Sequence, residues 1–414
     1  MNYEEQILSL LLDRYESSPA CRRGQVPEKR RMLRLYDGGA NEFPAYNIEN
    51  ADAREEINAA VISLAQRGFV GYEWMRGETN HLLAKLWLNY SNLDDEYRFL
   101  ERTPEADAID ALLCHLIEFR AEIKANWAHN WLNDTIDAIR KKRTVGNSLP
   151  ADVNEREDLL KVIAALSARS ELETPVRVFS VRCFGDSKRF ERVVKARLIR
   201  ILKKYLMEDP DCSDEDTLRR VGLVQSPELF EFAGPLMLTF PGGVLDFGLL
   251  PLGGTLTAAD LEAASLSVGA EVRRVLSIEN HANFVEYVRR SRAKEELVLW
   301  HGGQLSPARL LFFQAVSAAL SSGCSFYHWG DIDFGGFSML ARLRREVSPK
   351  ILPLHMNVTE LVQYVKFAQA FDKPYAERLK LLCEKPELAD CQPTLRFMLE
   401  GNLRLEQEAL LLPY

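Results

Sequence analysis

No Cys-x-x-Cys pair occurs in these 414 residues, and no two histidines stand at a spacing that would share a metal ion. The seven cysteines are scattered. A zinc finger or ribbon is therefore excluded, and free thiols fit a reducing cytoplasm. Long apolar runs are missing too. The longest near the start is Ile7–Leu12, with Ser9 inside it, far short of the roughly 20 residues that span a membrane. Met1-Asn2-Tyr3-Glu4-Glu5 carries acids where a signal peptide needs bases. A soluble, cytoplasmic protein with no membrane contact is expected. There are no low-complexity tracts and no obvious repeat. Positive charge is not in excess either. Lys and Arg number 52 against 60 Asp and Glu, a net charge of −8. That argues against bulk nucleic-acid binding and makes the local distribution of bases the informative quantity.

What is present is a chain long enough for about two to four domains, with 47% hydrophobic residues to build their cores. Its most informative stretch is Phe326-Tyr327-His328-Trp329-Gly330-Asp331-Ile332-Asp333-Phe334-Gly335-Gly336. An apolar run stops at two acids one position apart, and a helical pattern follows. With 326–330 as a strand, Asp331 and Asp333 leave its end on one side, because side chains alternate. Paired carboxylates repel unless a cation neutralises them, and hard oxygen ligands suit Mg²⁺ or Mn²⁺. A second β-rich run, Arg274–Ile278, also ends on an acid, Glu279.

Between and beyond these acids the pattern alternates. His281–Arg290 is helical, Leu297–Trp300 a buried strand ending in His301-Gly302-Gly303, and Ala308–Leu320 an amphipathic helix. Phe337–Val347 is another helix and Ile351–His355 another strand. Strands alternating with helices predict a parallel sheet with right-handed crossovers. Sites in such sheets form beyond the strands' carboxyl ends, which is where Glu279, Asp331 and Asp333 fall.

A glutamate closing one strand and an Asp-x-Asp closing a later one resemble the Toprim domain of topoisomerases, primases and certain nucleases, over roughly 265–360. Ile278-Glu279-Asn280 and Asp331-Ile332-Asp333-Phe334-Gly335-Gly336 look most like the variant in the topoisomerase VI A subunit. Phe184-Gly185-Asp186-Ser187-Lys188, Asn283-Phe284, His301-Gly302-Gly303 and Trp329-Gly330 extend the likeness to the D-subunit (JetD) family of the Wadjet anti-plasmid defence systems. The fold class so implied is multidomain α/β. A C-terminal Toprim domain with a Rossmann-like parallel sheet and a helical tail (263–414) follows a winged-helix domain like that of the catabolite activator (CAP; 171–262). A helical arm (104–170) and a helical, winged-helix-like N-terminal domain (1–103) precede them.

The residues before the sheet carry two basic clusters. In 1–103, an amphipathic helix over Tyr3–Ser17 and a helix over Ala53–Arg67 bracket the segment 20–34, which holds six bases, among them Arg30 and Arg31, and one acid. Gly68–Trp74 then reads as a strand. Pro104–Lys142 is helical, with His115 and His129 read as packed residues, and Val145–Pro150 is the linker candidate. The second cluster, 177–205, has ten Lys or Arg and two acids. Gly185-Asp186-Ser187 reads as a turn and N-cap. The helix after it places Lys188, Arg192 and Lys195, with Arg189 adjacent, on one side. Phe190, Val194, Leu198, Ile201 and Tyr205 lie on the other. A docked helix with a basic outer stripe suits DNA phosphates, and a solvated charged face is the plain alternative.

By resemblance, the chain would be an endonuclease using Mg²⁺ (or Mn²⁺). Glu279, Asp331 and Asp333 would be its metal ligands and catalytic residues, with Glu279 alternatively a general acid or base. It would cut double-stranded plasmid DNA as a homodimer, recruited by a condensin-like SMC/kleisin complex. His301 and His328 are candidate aids to phosphate binding. The topoisomerase relatives use a nucleophilic tyrosine, but Tyr36, Tyr46 and Tyr205 have no matching motif, which leaves metal-assisted hydrolysis as the expected chemistry. The rivals are tyrosine-dependent cleavage, a non-catalytic DNA-binding adaptor, and a primase-type activity needing nucleoside triphosphates.

Overall fold

The computed structural model describes residues 2–22, 24–35, 41–209 and 211–411. The chain divides into two compact units, Met1–Arg156 and Glu157–Tyr414. In the first, helix Tyr3–Glu16 buries Ile7, Leu8, Leu11 and Leu12 completely. Asn2 and Glu5 close its start as a reciprocal capping box. Helix Ala51–Gln66 leads through Gly68 into strand Val70–Trp74, which pairs antiparallel with Leu83–Leu88. Met32–Arg34 adds on the other side of Leu83–Leu88. The helical region after Pro104 is two helices, Glu105–Glu122 and Asn126–Lys142.

The second unit is organised by a six-stranded sheet. Its strands are β1 (Phe230–Ala233), β2 (Gly254–Leu256), β3 (Arg274–Ile278), β4 (Glu296–Trp300), β5 (Ser325–Trp329) and β6 (Leu352–Pro353), in the order β6-β5-β3-β4-β1-β2. The four strands expected from the alternating pattern are all present and mutually parallel. Helices α1 (His281–Arg290), α2 (Pro307–Ala318) and α3 (Phe334–Glu346) connect them. The alternation did not predict the two antiparallel strands β1 and β2, which pair beside β4. They come from 230–256, where no strand–helix repeat marks them. Val275–Ile278 and Leu297–Leu299 are almost wholly buried, which is why these strands read as continuous apolar runs rather than alternating ones.

Each connecting helix starts on a side-chain cap: Asn280 for α1, Ser306 with Pro307 behind it for α2, and Asp333 for α3. Caps and strand ends together point the three helix N-termini at the carboxyl edge of the sheet. A separate antiparallel sheet is formed by Leu236–Phe240, Gly243–Asp246 and Ser265–Val268.

The basic segment departs from the continuous helix expected after Ser187. Helix Val176–Phe184 closes on Gly185 in the left-handed conformation (φ 70°). Phe190–Val194 then winds as a π-turn, and Lys195–Tyr205 continues as an α-helix. The buried Ser180 hydroxyl donates to the Asp186 carbonyl and accepts from the Phe190 amide, which ties the loop to the preceding helix. The expected apolar stripe of Phe190, Val194, Leu198 and Ile201 is buried. Among the described residues no helix is long and apolar enough to cross a membrane.

Candidate metal centre

β3 and β5 are direct parallel neighbours, with Ile278 opposite Trp329, so their terminal acids emerge side by side. The Glu279 amide donates to the Trp329 carbonyl at 3.0 Å. Its carboxylate Oε2 accepts from the Asp331 amide at 3.4 Å. A Cβ on Gly330 would lie 2.6 Å from that Oε2 and 3.0 Å from His328 Nε2, so a side chain here would push the carboxylate aside. Asp333 caps α3, accepting from the Gly336 amide at 2.7 Å. Gly336 in turn has no room for a side chain, because its Cβ would sit 2.1 Å from the Asp331 carbonyl oxygen. The Gly-Asp-x-Asp-x-x-Gly spacing is thus what one tight turn between a strand and a helix requires.

Glu279, Asp331 and Asp333, singled out from the sequence, are brought together. Burial, followed by the charges of Asp331 and Asp333, lifts the Glu279 carboxyl well above the usual carboxylate range. Burial and then Asp333 push Asp331 up to about 7. Burial also raises Asp333, opposed by the hydrogen bond from Gly336. Carboxyls raised together in this way mark a spot where negative charge is crowded and desolvated.

The sequence reading missed the segment that closes this spot. Leu405 pairs with Ile332 through two backbone hydrogen bonds of 2.9 and 3.1 Å. The following Glu406-Gln407-Glu408 is thereby laid across the strand ends. The Gln407 amide donates to Asp331 Oδ1 at 2.6 Å, between residues 76 apart in the chain. Asp331, Glu406 and Glu408 each offer a carboxylate oxygen, and these oxygens all lie within 4.8 Å of one another. The signal was an acid-x-acid pair repeating the Asp331/Asp333 spacing, but it follows a helical tail with no strand pattern to place it.

The histidines and tyrosines resolve differently. His301 and His328 are fully buried with ring centroids 5.4 Å apart. Burial holds His301 well below its ordinary range and pushes His328 down to about 3. Neutral and enclosed, they do not reach a substrate phosphate, and that expectation is withdrawn. The Tyr46 hydroxyl is buried, donating to Asn58 at 3.0 Å and accepting from the Leu83 amide at 2.7 Å, which makes it a packing group. Tyr205 is half-buried, its hydroxyl 2.8 Å from Lys204 Nζ. Tyr36 lies outside the described residues.

Of the basic residues, Lys188 and Arg192 are exposed, and Arg192 pairs with Asp186. Arg189 is held by Asp158 at 2.7 Å, and Lys195 is half-buried. In the first unit, Arg30 and Arg31 are exposed. Arg30 lies over the Trp87 ring at 5.3 Å, and the Arg31 amide donates to the Tyr90 hydroxyl.

The second unit is therefore a mixed α/β body with carboxylates gathered at the carboxyl ends of adjacent parallel strands. Residues 249–413 match the family described as Wadjet protein JetD, C-terminal, a span that contains all five of these acids. Over 413 residues the chain is 25% identical to the Wadjet protein JetD of Bacillus cereus (strain Q1), covering 99% of both sequences. The chain is thus similar to the JetD family, in its C-terminal region by the family match and along its length by this relative.

Proposed function

We propose that this chain is the DNA-cleaving subunit of a Wadjet-type anti-plasmid system, a Toprim-type endonuclease dependent on Mg²⁺ or Mn²⁺. It acts on closed circular double-stranded DNA as a homodimer with an SMC/kleisin-type complex. The observation that carries the reading is the convergence of Glu279, Asp331 and Asp333 at the ends of β3 and β5, inside the span that matches the JetD family.

The donor set suits a hard divalent cation, because every group at the spot offers carboxylate oxygen and neither histidine reaches it. A cation held there would supply charge stabilisation to the phosphodiester and an activated water. Asp331 keeps Oδ2 for that cation after Oδ1 accepts from Gln407. Asp333 is oriented by its bond from Gly336. Glu279 would be a further ligand of the cation, or the general acid or base that handles the proton of the leaving 3′ oxygen. Arg30, Arg31, Lys188, Arg192 and Lys195 contact DNA phosphates, the first two from a winged-helix-like unit and the others from a CAP-like one.

The deciding experiment is cleavage of closed circular plasmid by the chain with its SMC partners, ATP and Mg²⁺, beside Glu279→Gln and Asp331→Asn. Linear, protein-free product from wild type, lost in both variants, is expected. Product that enters a gel only after protease digestion would replace hydrolysis by a tyrosine mechanism. Intact plasmid with DNA binding retained would leave a DNA-binding adaptor.

A further inference from the structure

Glu406 and Glu408 are an extra pair of acids at a site that already holds three. Neither they nor Asp331 forms an ion pair among the described residues. The nearest base in sequence, Arg404, is turned to Gln369 and the Tyr375 ring. Asp331 and Glu406 are half-buried and Glu408 is exposed; carboxylates brought this close repel each other, so something must hold them there.

Gln407 does so mechanically. Its side chain is 1% exposed. It accepts from the Asn280 amide at 2.8 Å through Oε1 and donates to the Trp329 carbonyl at 3.0 Å through Nε2. Its backbone carbonyl accepts from Asn283 Nδ2 at 2.9 Å. With the amide bond to Asp331 Oδ1, one residue bridges the ends of β3 and β5 and the start of α1. Its two neighbours are left to flank Asp331. Asn280 Nδ2 donates to Glu408 Oε1 at 2.5 Å and so aims that carboxylate.

Independent of the acids, two fully buried polar atoms around the same turn have no partner among the described residues: Asn283 Oδ1 and His328 Nε2. His328 Nε2 and Glu279 Oε2 both approach the point where a Cβ on Gly330 would lie, at 3.0 and 2.6 Å. Asn283 sits against the Gln407 carbonyl. Buried polar atoms are nearly always satisfied, by ordered water or a bound group where the protein supplies no partner. Both atoms are left for ordered water or a bound group at the strand ends.

We infer that the segment 405–409 is part of the metal centre: Glu406 and Glu408 share with Asp331 the coordination of a divalent cation, and Gln407 is the positioning residue that sets them there. This rests on the metal-dependent reading above and adds ligands from a part of the chain outside the strand-end motif.

The test uses the full chain and Mn²⁺ alone, read by electron paramagnetic resonance for affinity and by proton double resonance for Mn²⁺-bound water. Wild type is compared with Glu406→Gln, Glu408→Gln, both together, Gln407→Ala and Asp331→Asn, each checked for an unchanged melting profile without metal. The expected result is weaker Mn²⁺ binding in the double variant and in Gln407→Ala, on the order of 10–100-fold for the positioning residue. More bound water is expected as each carboxylate is removed, a change that a merely structural role would not produce. Unchanged affinity and water count in Glu406→Gln/Glu408→Gln, with binding abolished in Asp331→Asn, would overturn this inference and leave the strand-end metal centre standing. Absence of Mn²⁺ binding in wild type would bring down both.

Discussion

Single residues here do opposite things with buried charge. Glu96, in the first unit, is wholly buried, and neither carboxylate oxygen has a hydrogen-bond partner among the described residues. Burial, with Asp95 adding to it, pushes its pKa up to about 8. Because the folded pKa is the higher one, the folded state retains a proton that the unfolded chain releases. The stabilisation this brings is complete below the ordinary carboxylate pKa and is lost as pH rises through about 8. The thermal midpoint of the first unfolding transition should therefore fall between pH 5 and pH 9. In Glu96→Gln that decline should flatten, leaving the variant more stable than wild type at the alkaline end. A parallel decline in both proteins would mean that Glu96 is not the group responsible. At the strand ends, by contrast, the proposed function would match crowded carboxyls to an external cation rather than to protons alone.

At the scale of elements, the site depends on how two strand–helix turns are braced. The β4–α2 turn is held by Arg309, itself buried. It donates to Glu228 Oε1 at 2.8 Å and to the Trp300 carbonyl at 3.1 Å, and it also bonds the His301 carbonyl. The Ser306 cap shares the same glutamate. Removing one partner of a buried ion pair strands the other. Arg309→Met should cost about 3–5 kcal/mol in chemical denaturation, whereas a loss below about 1 kcal/mol would show that Glu228 is neutralised some other way. The β5–α3 turn is braced by close backbone approach instead. Gly336→Ala forces a Cβ against the Asp331 carbonyl. It should destabilise by about 1–3 kcal/mol and abolish plasmid cleavage, because the turn aims Asp331 and Asp333 together. Retained cleavage would show that their geometry tolerates displacement.

At the scale of the whole molecule, the balance of charge bears on the proposed DNA contact. With a net charge of −8, DNA would have to be met locally. Arg30 and Arg31 are free of acidic partners among the described residues, while Arg189 and Arg192 are partly neutralised by Asp158 and Asp186. Arg30→Glu with Arg31→Glu should lower the slope of log affinity against log salt by about 2, close to one for each phosphate no longer neutralised. Lys188→Glu should lower it by about 1. An unchanged slope on a duplex would remove these residues from the interface. Under the proposed function a homodimer in sedimentation is the further expectation, since one carboxylate cluster would cut one strand and a two-fold axis matches duplex symmetry.

The sequence alone determined the parallel core and its acidic rim. Strands buried on both faces read as apolar runs, helices repeat their own period, and an acid standing where a strand run stops is placed by that stop. Glu279, Asp331 and Asp333 were legible for this reason, whereas the capping of α3 by Asp333 and the close backbone approach at Gly336 came from the structure. The tertiary structure alone decided what covers the rim. β1 joins the sheet by pairing with β4 and β2 by pairing with β1, a long-range choice that no local period records. The π-turn at Phe190–Val194 interrupts a helix whose apolar stripe is otherwise regular. Glu406, Gln407 and Glu408 reach Asp331 only because the tail folds back and pairs Leu405 with Ile332. The burial that silences His301 and His328 likewise follows from how β3, β4 and β5 pack. Local periodicity carries information over a few residues. Contacts between residues 76 apart depend on the closing of the whole chain.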